Sequence, residues 1–534
     1  MIVGLAMAAA MGLAAQDAPA AAQDPVQAAQ PADPVDIFSI PATVREPTEA
    51  DMAEIERLVV EAETARDAER FDDAVAAARA LAGLSAETFG PRHPVTASSL
   101  NIVGQVLYAR GDFDGAEAIF REGLAMRREA LGELHPDVAE SLNNIGGVLS
   151  RRGRYAEAQA FMEQAVAVWE QIPGSDLLNI YNGLTNLAFG YYDLARYPEA
   201  EAAMRRGDAV ARRLYEPGDP RRETAQTGLG NILSALGRYD EAEAAYQAAA
   251  DAFTAPGVEV TLQSGLSLNG LANIRMIQGR YIEAADLFRR ATEVFQNALG
   301  AEHAFTGATI GHTALALMEA GRLDRAEPLF RRALEVQGKA LGESHPDTAR
   351  TRRQLAEVLR RDGRAAEALP EARRAVTDIT AALGNAHVDT AHARLTLASV
   401  LEAEGDVAGA EAEAGLAVAV LSERLGADHP DVALARASEG ESLRRLGRLD
   451  EAEHMLTEAT SVSERAFGAG HPTTISQRSS LARTLLDAER PMDALAVLRR
   501  QTPAGAVATN LQSGNAGLEE AYRLRVTAAW AAGR

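Results

Sequence analysis

One register constrains this chain more than any other feature. The segment beginning at Leu131, LGELHPDVAESLNNIGGVLSRRGRYAEAQAFMEQAVAVWEQ, lies without a gap over the segment beginning at Leu341, LGESHPDTARTRRQLAEVLRRDGRAAEALPEARRAVTDITA. The separation of 210 residues is five periods of 42, and eleven units in that register run from about residue 52 to 500. A period of this length means that one supersecondary unit recurs and can bury its apolar face only against its neighbours. The 534 residues therefore predict one array instead of the three or four globular domains that length alone suggests.

Two columns of the register carry only small residues. The column that opens the second helix of each unit is Ala every time: Ala74, Ala116, Ala158, Ala200, Ala242, Ala284, Ala326, Ala368, Ala410, Ala452 and Ala494. A first-helix column runs Gly104, Gly146, Ala188, Gly230, Ala272, Ala314, Ala356, Ala398, Gly440 and Ala482, and three residues on it is mostly Leu, as at Leu107 and Leu149. Side chains held this small mark helix crossings, and small and large residues one turn apart let neighbouring helices interlock. The turn between the two helices has its own Gly column, from Gly111 and Gly153 to Gly405 and Gly447, which supplies a left-handed C-cap. Glu69, Ala195 and Glu489 replace that glycine in units one, four and eleven.

The connection between units reads LGxxHPD. Its prolines, among them Pro136, Pro346 and Pro430, pre-set a first helical turn, and Asp137, Asp347 and Asp431 bring negative charge to the helix N-terminus. Seven histidines share one position in it: His93, His135, His303, His345, His387, His429 and His471. One imidazole per repeat cannot surround an ion, so these predict a loop or cap role and no metal site. Each unit is then a helix hairpin with a first helix of about 16 residues, and stacked hairpins give an all-α, right-handed superhelical solenoid with a concave inner surface. The connections QIPGSD, YEPGDP and TAPGVEV break the pattern, with Glu216 and Val258 in the Gly column, so units three to six are expected to bend differently.

Composition closes off other classes. The formal net charge of -23 argues against an extended nucleic-acid-binding surface. With no cysteine, there are no disulfides, thiolate zinc sites or cysteine nucleophiles. Residues 1–15, MIVGLAMAAAMGLAA, are an apolar run too short to span a bilayer comfortably, with small residues where a signal-peptide cut falls, although a positive n-region is missing. A cleaved signal peptide is the preferred reading, which places the chain in the periplasm or outside the cell, with no stable membrane insertion after cleavage. A disordered tail on a cytoplasmic protein and an uncleaved anchor are the alternatives. Residues 16–50, rich in Ala, Pro, Gln and Asp, read as a disordered linker, and 51–500 as the array. In 501–534 a loop precedes a C-terminal capping helix anchored by Leu518, Tyr522, Val526 and Trp530.

The consensus LGxxHPDVAxSLNNIGxxLxxxGRYxEAE, with small residues at the crossings, resembles the tetratricopeptide repeat. Its 42-residue form is similar to the repeats of kinesin light chain and of many bacterial proteins built from that variant. The resemblance implies that first-helix residues on the concave side bind partner peptides, with asparagines holding the peptide backbone. Carried onto the SLNN motif, it nominates Asn143 and Asn144, with Asn101 and Asn269 in the first column, Asn186 in the second, and Asn231 with Asn273 in another. An amide both donates and accepts, so it can pair with any peptide bond; solvent exposure or helix-end bonding is the competing account. In later units the Asn143 column becomes Gly311, Arg353, Leu395, Ala437 and Ser479, so the chemistry of a single groove changes along its length. Arg275, in the Leu149 column, either offers a charge to an acidic peptide terminus or snorkels from a loose contact, the second being preferred.

No phosphate loop, zinc-protease helix, nucleophile elbow or dinucleotide fingerprint is present in a suitable context, and no catalytic residue, metal or cofactor is assigned. Acids such as Glu117 and Glu157 beside arginines read as exposed ion pairs on outer faces. The expectation is a noncatalytic scaffold that binds a protein or peptide partner through its concave surface, with homo-oligomerisation open. Three alternatives stand beside it: a signalling adaptor for a separately encoded NTPase or kinase, a structural oligomeric adaptor, and an enzyme of unrecognised type.

Overall fold

The computed structural model describes residues 46–216, 219–253, 261–499 and 516–532; the expected signal segment and the loop before the last helix lie outside them. The described residues form twenty-three α-helices. The first unit of the fold ends at Val294 and the second begins at Phe295, a division that falls within α12. In the first lie α1 (Glu49–Asp67), α2 (Phe71–Phe89), α3 (Pro94–Ala109), α4 (Phe113–Leu131), α5 (Pro136–Arg151), α6 (Tyr155–Gln171), α7 (Leu177–Asp193), α8 (Tyr197–Leu214), α9 (Pro220–Ala235), α10 (Tyr239–Phe253), α11 (Leu262–Ile277) and most of α12 (Tyr281–Leu299). The second holds α13 (Ala304–Glu319), α14 (Leu323–Leu341), α15 (Pro346–Arg361), α16 (Ala365–Leu383), α17 (Val388–Glu404), α18 (Val407–Leu425), α19 (Pro430–Arg445), α20 (Leu449–Phe467), α21 (Pro472–Asp487), α22 (Pro491–Arg499) and α23 (Ala516–Ala532). The first twenty-two pair into eleven hairpins, an all-α solenoid.

The array opens on a capping box, in which Thr48 Oγ1 accepts the Asp51 amide at 3.2 Å while the Thr48 amide donates to the Asp51 carboxylate at 2.8 Å. Within each hairpin the first helix ends on a left-handed residue. The turn glycines have φ from 71 to 91°, and Glu69, Ala195 and Glu489 adopt the same conformation at 57, 55 and 59° without being glycine. The reason is the hydrogen bond the turn must close: the Asp112 amide reaches the Leu107 carbonyl, and the Arg196 amide repeats this onto Tyr191.

Between hairpins, all seven repeat-register histidines are N-caps. Each imidazole Nδ1 accepts the amide two residues on, from Val95, Asp137, Phe305, Asp347, Asp389, Asp431 and Thr473, at 3.1 to 3.2 Å. Asp219 holds the same register position and caps α9 with its carboxylate, 2.9 Å from the Arg221 amide.

The eleven alanines of the crossing column are all fully buried. What fills the space opposite the small first-helix column comes from the second helix. A Cβ placed on Gly146 would lie 2.7 Å from Met162, and one on Gly230 would lie 2.7 Å from the ring of Tyr246. Successive hairpins are tied by arginine forks at the second-helix N-terminus. Arg238 bonds Glu241 at 2.6 Å in its own helix and Glu201 at 2.7 Å in the preceding repeat, and Arg364 does the same with Glu367 and Glu327. Glu117 departs from the exposed pair expected of it, because it is buried. Burial pushes its carboxyl upward, and hydrogen bonds from Arg121 and Arg152 with the charge of Arg154 more than reverse this, leaving it below its ordinary value.

The final helix α23 packs on α21 and α22, and two of the four anchors expected of it are exposed. Val526 and Trp530 are 54 and 62% exposed, and the side chains of Leu518 and Tyr522 lie outside the described set. Ala521 and Ala528 are buried instead, with Leu524 against the last repeat, so small residues bring this helix close, as they do throughout the array.

Candidate protein-interaction face

Within each unit the first helices form the inner layer. In the first, α1 packs on α3, α5 on α7 and α9 on α11; in the second, α13 on α15, α15 on α17, α17 on α19 and α19 on α21. The second helices reach the next repeat mainly through its first helix. Helices packed closest together mark the inside of the curve, and the nominated side chains belong to that layer.

In the first unit, asparagines make rungs between repeats. The Asn144 amide donates to Asn101 Oδ1 at 2.9 Å, and the Asn186 amide donates to Asn143 Oδ1 at 3.1 Å. Asn101 in turn donates to Glu140 at 3.1 Å. The partners are 43 residues apart, one more than the period, so each rung joins one column of the SLNN pair to the other. Asn101 is buried, whereas Asn143, Asn144 and Asn186 are half-buried and retain solvent access.

Asn231, Asn269 and Asn273 sit deeper. Tyr246, whose ring is wedged between Gly230 and Gly270, donates its hydroxyl to Asn231 Oδ1 at 2.5 Å. Asn269 and Asn273 are 8 and 7% exposed, and among the described residues nothing donates to their Oδ1 atoms. They lie on α11, where every residue from Ser264 to Met276 is buried. Arg275, also buried, pairs with Glu243 of the preceding repeat and bonds Gln278 at 3.1 Å, so its charge is matched within the fold.

The second unit's inner layer is ionic. Arg350 spans to Asp389 at 2.6 Å, Arg361 to Glu319 at 3.1 Å, Arg445 to Glu402 at 3.1 Å and Arg444 to Asp487 at 2.6 Å. His392 Nε2 lies 3.4 Å from Asp431. On α13, burial pushes the half-buried His312 down to about 4, with the charge of Asp347 acting against this.

A further column went unread in the sequence. Leu100, Leu142, Leu184, Leu268 and Ile310 occupy it in five of the repeats, and Arg352, Arg394, Arg436 and Arg478 occupy it in the last four. Arg352 bonds Glu343 at 2.7 Å and Glu371 at 3.1 Å, and Arg394 bonds Glu413 at 2.6 Å. Arg436 meets Glu458 at 3.2 Å and Arg478 meets Glu464 at 2.7 Å. Arg352, Arg394 and Arg436 reach the second helix of their own hairpin, and Arg478 reaches that of the preceding one, where a leucine occupies the column earlier. The alignment contains the signal: a core column that turns from Leu to Arg for four consecutive repeats.

Models of the tetratricopeptide repeat match residues 58–129, 103–171, 137–207, 176–255, 309–378, 389–462 and 431–500, and a second such model matches 227–298. Together they cover well over half of the sequence. The chain belongs to the tetratricopeptide repeat family. Among solved structures, the apo form of RapI is 11% identical over 70% of this chain and 99% of its own, with a TM-score of 0.54. The apo form of the quorum sensor NprR from B. thuringiensis is 12% identical over 69 and 99%, with a TM-score of 0.51. A putative kinesin light chain with nearly identical TPR-like repeats from Podosopora anserina is 23% identical over 38 and 94%, with a TM-score of 0.33. Identities this low speak to the fold alone. No curated protein matches the sequence significantly. This tetratricopeptide-repeat solenoid has the architecture of noncatalytic protein–protein interaction scaffolds, which present extended concave surfaces. Among the described residues no group of three or more His, Asp or Glu side chains is placed to hold a metal ion, and no helix is long and apolar enough to cross a membrane.

Proposed function

We propose that this tetratricopeptide-repeat protein is a noncatalytic scaffold that holds an extended segment of a partner protein on the first-helix layer of its first unit. The observation that carries the reading is the pair of asparagine rungs, Asn101 to Asn144 and Asn143 to Asn186, because their half-buried members keep hydrogen-bonding capacity toward the inner side. Each amide uses one donor or acceptor in its rung and has others left for a peptide bond. The 42-residue period and the LGxxHPD connection favour the kinesin-light-chain-like branch found in bacteria. The apolar segment 1–15 favours export to the periplasm.

In-cell crosslinking, affinity capture through a C-terminal tag and mass spectrometry test this, with the mature N-terminus recorded in the same run. One reproducible envelope partner and an N-terminus near Ala15 are expected. Substituting Asn143 and Asn144 by Ala should weaken that partner about tenfold or more. Capture unchanged in the double variant overturns the assignment of the face, and an intact Met1 with cytoplasmic partners overturns the export.

A further inference from the structure

A repeat array has two terminal helices with a neighbouring repeat on one side only, and a polar outer face at each end is what keeps such arrays soluble. Both ends of this array depart from that. On α1, Met52 and Val60 are 43 and 61% exposed, and on α23 Val526 and Trp530 are 54 and 62% exposed. Each pair shares one side of its helix with an exposed charged residue, Glu56 on α1 and Arg523 on α23.

The register says what each side is built to meet. Asn144 and Asn186 reach back to the first helix of the preceding repeat, and Val60 stands in their column. Glu140 accepts from Asn101 in the same backward direction, and Glu56 stands in its column. The side of α1 that carries Glu56 and Val60 is therefore the side a preceding first helix would cover, and the described residues put none there. At the other end, α23 packs on α21 and α22 as each first helix packs on the two helices of the hairpin before it. It is a first helix with no second helix after it among the described residues, and Val526 and Trp530 lie on the side left over.

Charge decides which end meets which. The helix α1 carries seven carboxylates and two arginines. In α23 the two acids, Glu519 and Glu520, come first, Glu520 lies 3.3 Å from Arg483, and the stretch with Val526 and Trp530 carries Arg523 and Arg525. Packing α1 on α1 sets acid against acid, and α23 on α23 sets arginine against arginine, whereas α1 on α23 matches charge as well as apolar surface. We infer that a second copy of this chain docks end to end, its α1 against the exposed side of α23. The contact is heterologous, since each copy offers one face of each kind. It goes beyond the scaffold reading and does not rest on it.

Sedimentation velocity of the full chain at low salt, up to about 100 μM, tests this. The unsubstituted protein should self-associate, and association should weaken as salt rises. Trp530→Asp should weaken it at least about thirtyfold and Val60→Asp about tenfold or more, with thermal melting unchanged because both sites are exposed. Mixing the two variants should restore assembly as far as dimers, because one copy then keeps α23 and the other keeps α1. Arg523→Glu and Glu56→Arg should each weaken association about threefold to tenfold, and their mixture should recover it, a test that stands even where an aspartate disturbs either helix. A chain that stays monomeric over that range overturns the inference. So does Val60→Asp protein that associates like the unsubstituted chain, which marks a contact of α23 with itself, and so do mixtures that fail to recover.

Discussion

The two units solve the same packing problem with different chemistry. In the first, Leu100, Leu142 and Leu184 fill one column of the hairpin core, and rungs between repeats are made by Asn101, Asn143, Asn144 and Asn186. In the second, the same column starts with Ile310 and then holds Arg352, Arg394, Arg436 and Arg478, each against a glutamate, and the rungs are ion pairs such as Arg350 with Asp389. The backbone register does not change. A solenoid repeat thus requires that this column be tied to a neighbouring second helix, not that the tie be an apolar side chain. The difference lies in what each solution tolerates: leucine needs only volume, whereas a buried arginine needs its partner in place.

Moving a charge the wrong way should have the largest effect. Leu184→Arg puts a guanidinium where Ala203 and Ser175 stand in the positions that supply Glu413 and Asn385 to Arg394, so it finds no carboxylate there. A loss of about 4 kcal/mol or more is expected, read as collapse of hydrogen-exchange protection in α7 and α8. In the second unit, Glu464→Ala strands Arg478, which is 2% exposed, and should cost about 3 to 5 kcal/mol. Arg478→Leu removes the charge with its need for a partner and should change stability by no more than about 1 to 2 kcal/mol. If Arg478→Leu proves as damaging as Glu464→Ala, the two columns are not equivalent and the comparison fails.

Next in size is the crossing of first and second helices. Gly230→Ala drives a methyl into the ring of Tyr246, which is also bounded by Gly270, and should cost about 1 to 3 kcal/mol. In the second unit the same column already carries methyls, at Ala356 and Ala398, because the second helices bring Ala372 and Ala414 to the core there. Restoring the space in the first unit with the double variant Gly230→Ala, Tyr246→Leu should recover part of the loss, and urea melts of the single and double variants measure the coupling.

Acid should separate the units through their caps. Burial holds His303, which caps α13, below its ordinary pKa. The folded chain then binds fewer protons than the unfolded chain. The contribution of His303 is complete above the unfolded value of about 6.5 and is lost as pH falls through the lower folded value. His312, on the same helix and pushed down to about 4, adds loss in the same direction. Asp219, which caps α9 in the first unit, is held below the usual carboxylate range by Arg221, so its contribution persists until pH falls below about 4. Between pH 7 and 5, exchange protection at the start of α13 should drop while that at the start of α9 holds. His303→Asp should reduce the difference to the part that His312 contributes; equal losses at both helices in the unsubstituted protein would show that neither histidine sets it.

How much of this was legible follows from the period. Ala74 through Ala494 could be read because identity in a column needs no partner to be interpreted, and the seven histidines because their place before a helix start restricts what an imaginary ligand or a cap can be. Partners across repeats were harder. Asn101 and Asn144 lie one residue off the period, so a comparison within columns cannot pair them. Arg352 could not be paired by comparing columns, because its glutamates come from a connection and a second helix, nine residues before it and nineteen after. In α23 the apolar spacing pointed to Val526 and Trp530, but closeness of approach selected Ala521 and Ala528.

The smallest expected effects come from the turn column, where each unit supplies the other's control. Ala195 holds φ 55° in the first unit, a conformation that costs a residue with a Cβ about 1 to 2 kcal/mol relative to glycine. Ala195→Gly should recover about 1 kcal/mol of that, since the extra freedom glycine gives the unfolded chain offsets the rest. Gly405 occupies the same column in the second unit at φ 91°, with open space around an added Cβ, so Gly405→Ala isolates backbone strain from any clash and should lose about 1 kcal/mol. Opposite signs of similar size in paired thermal melts would show that the turn is set by the 42-residue geometry alone. A neutral Ala195→Gly would instead mean that the broken connections around units three to six already relax this turn, and that the first unit departs from the second in its backbone as well as in its side chains.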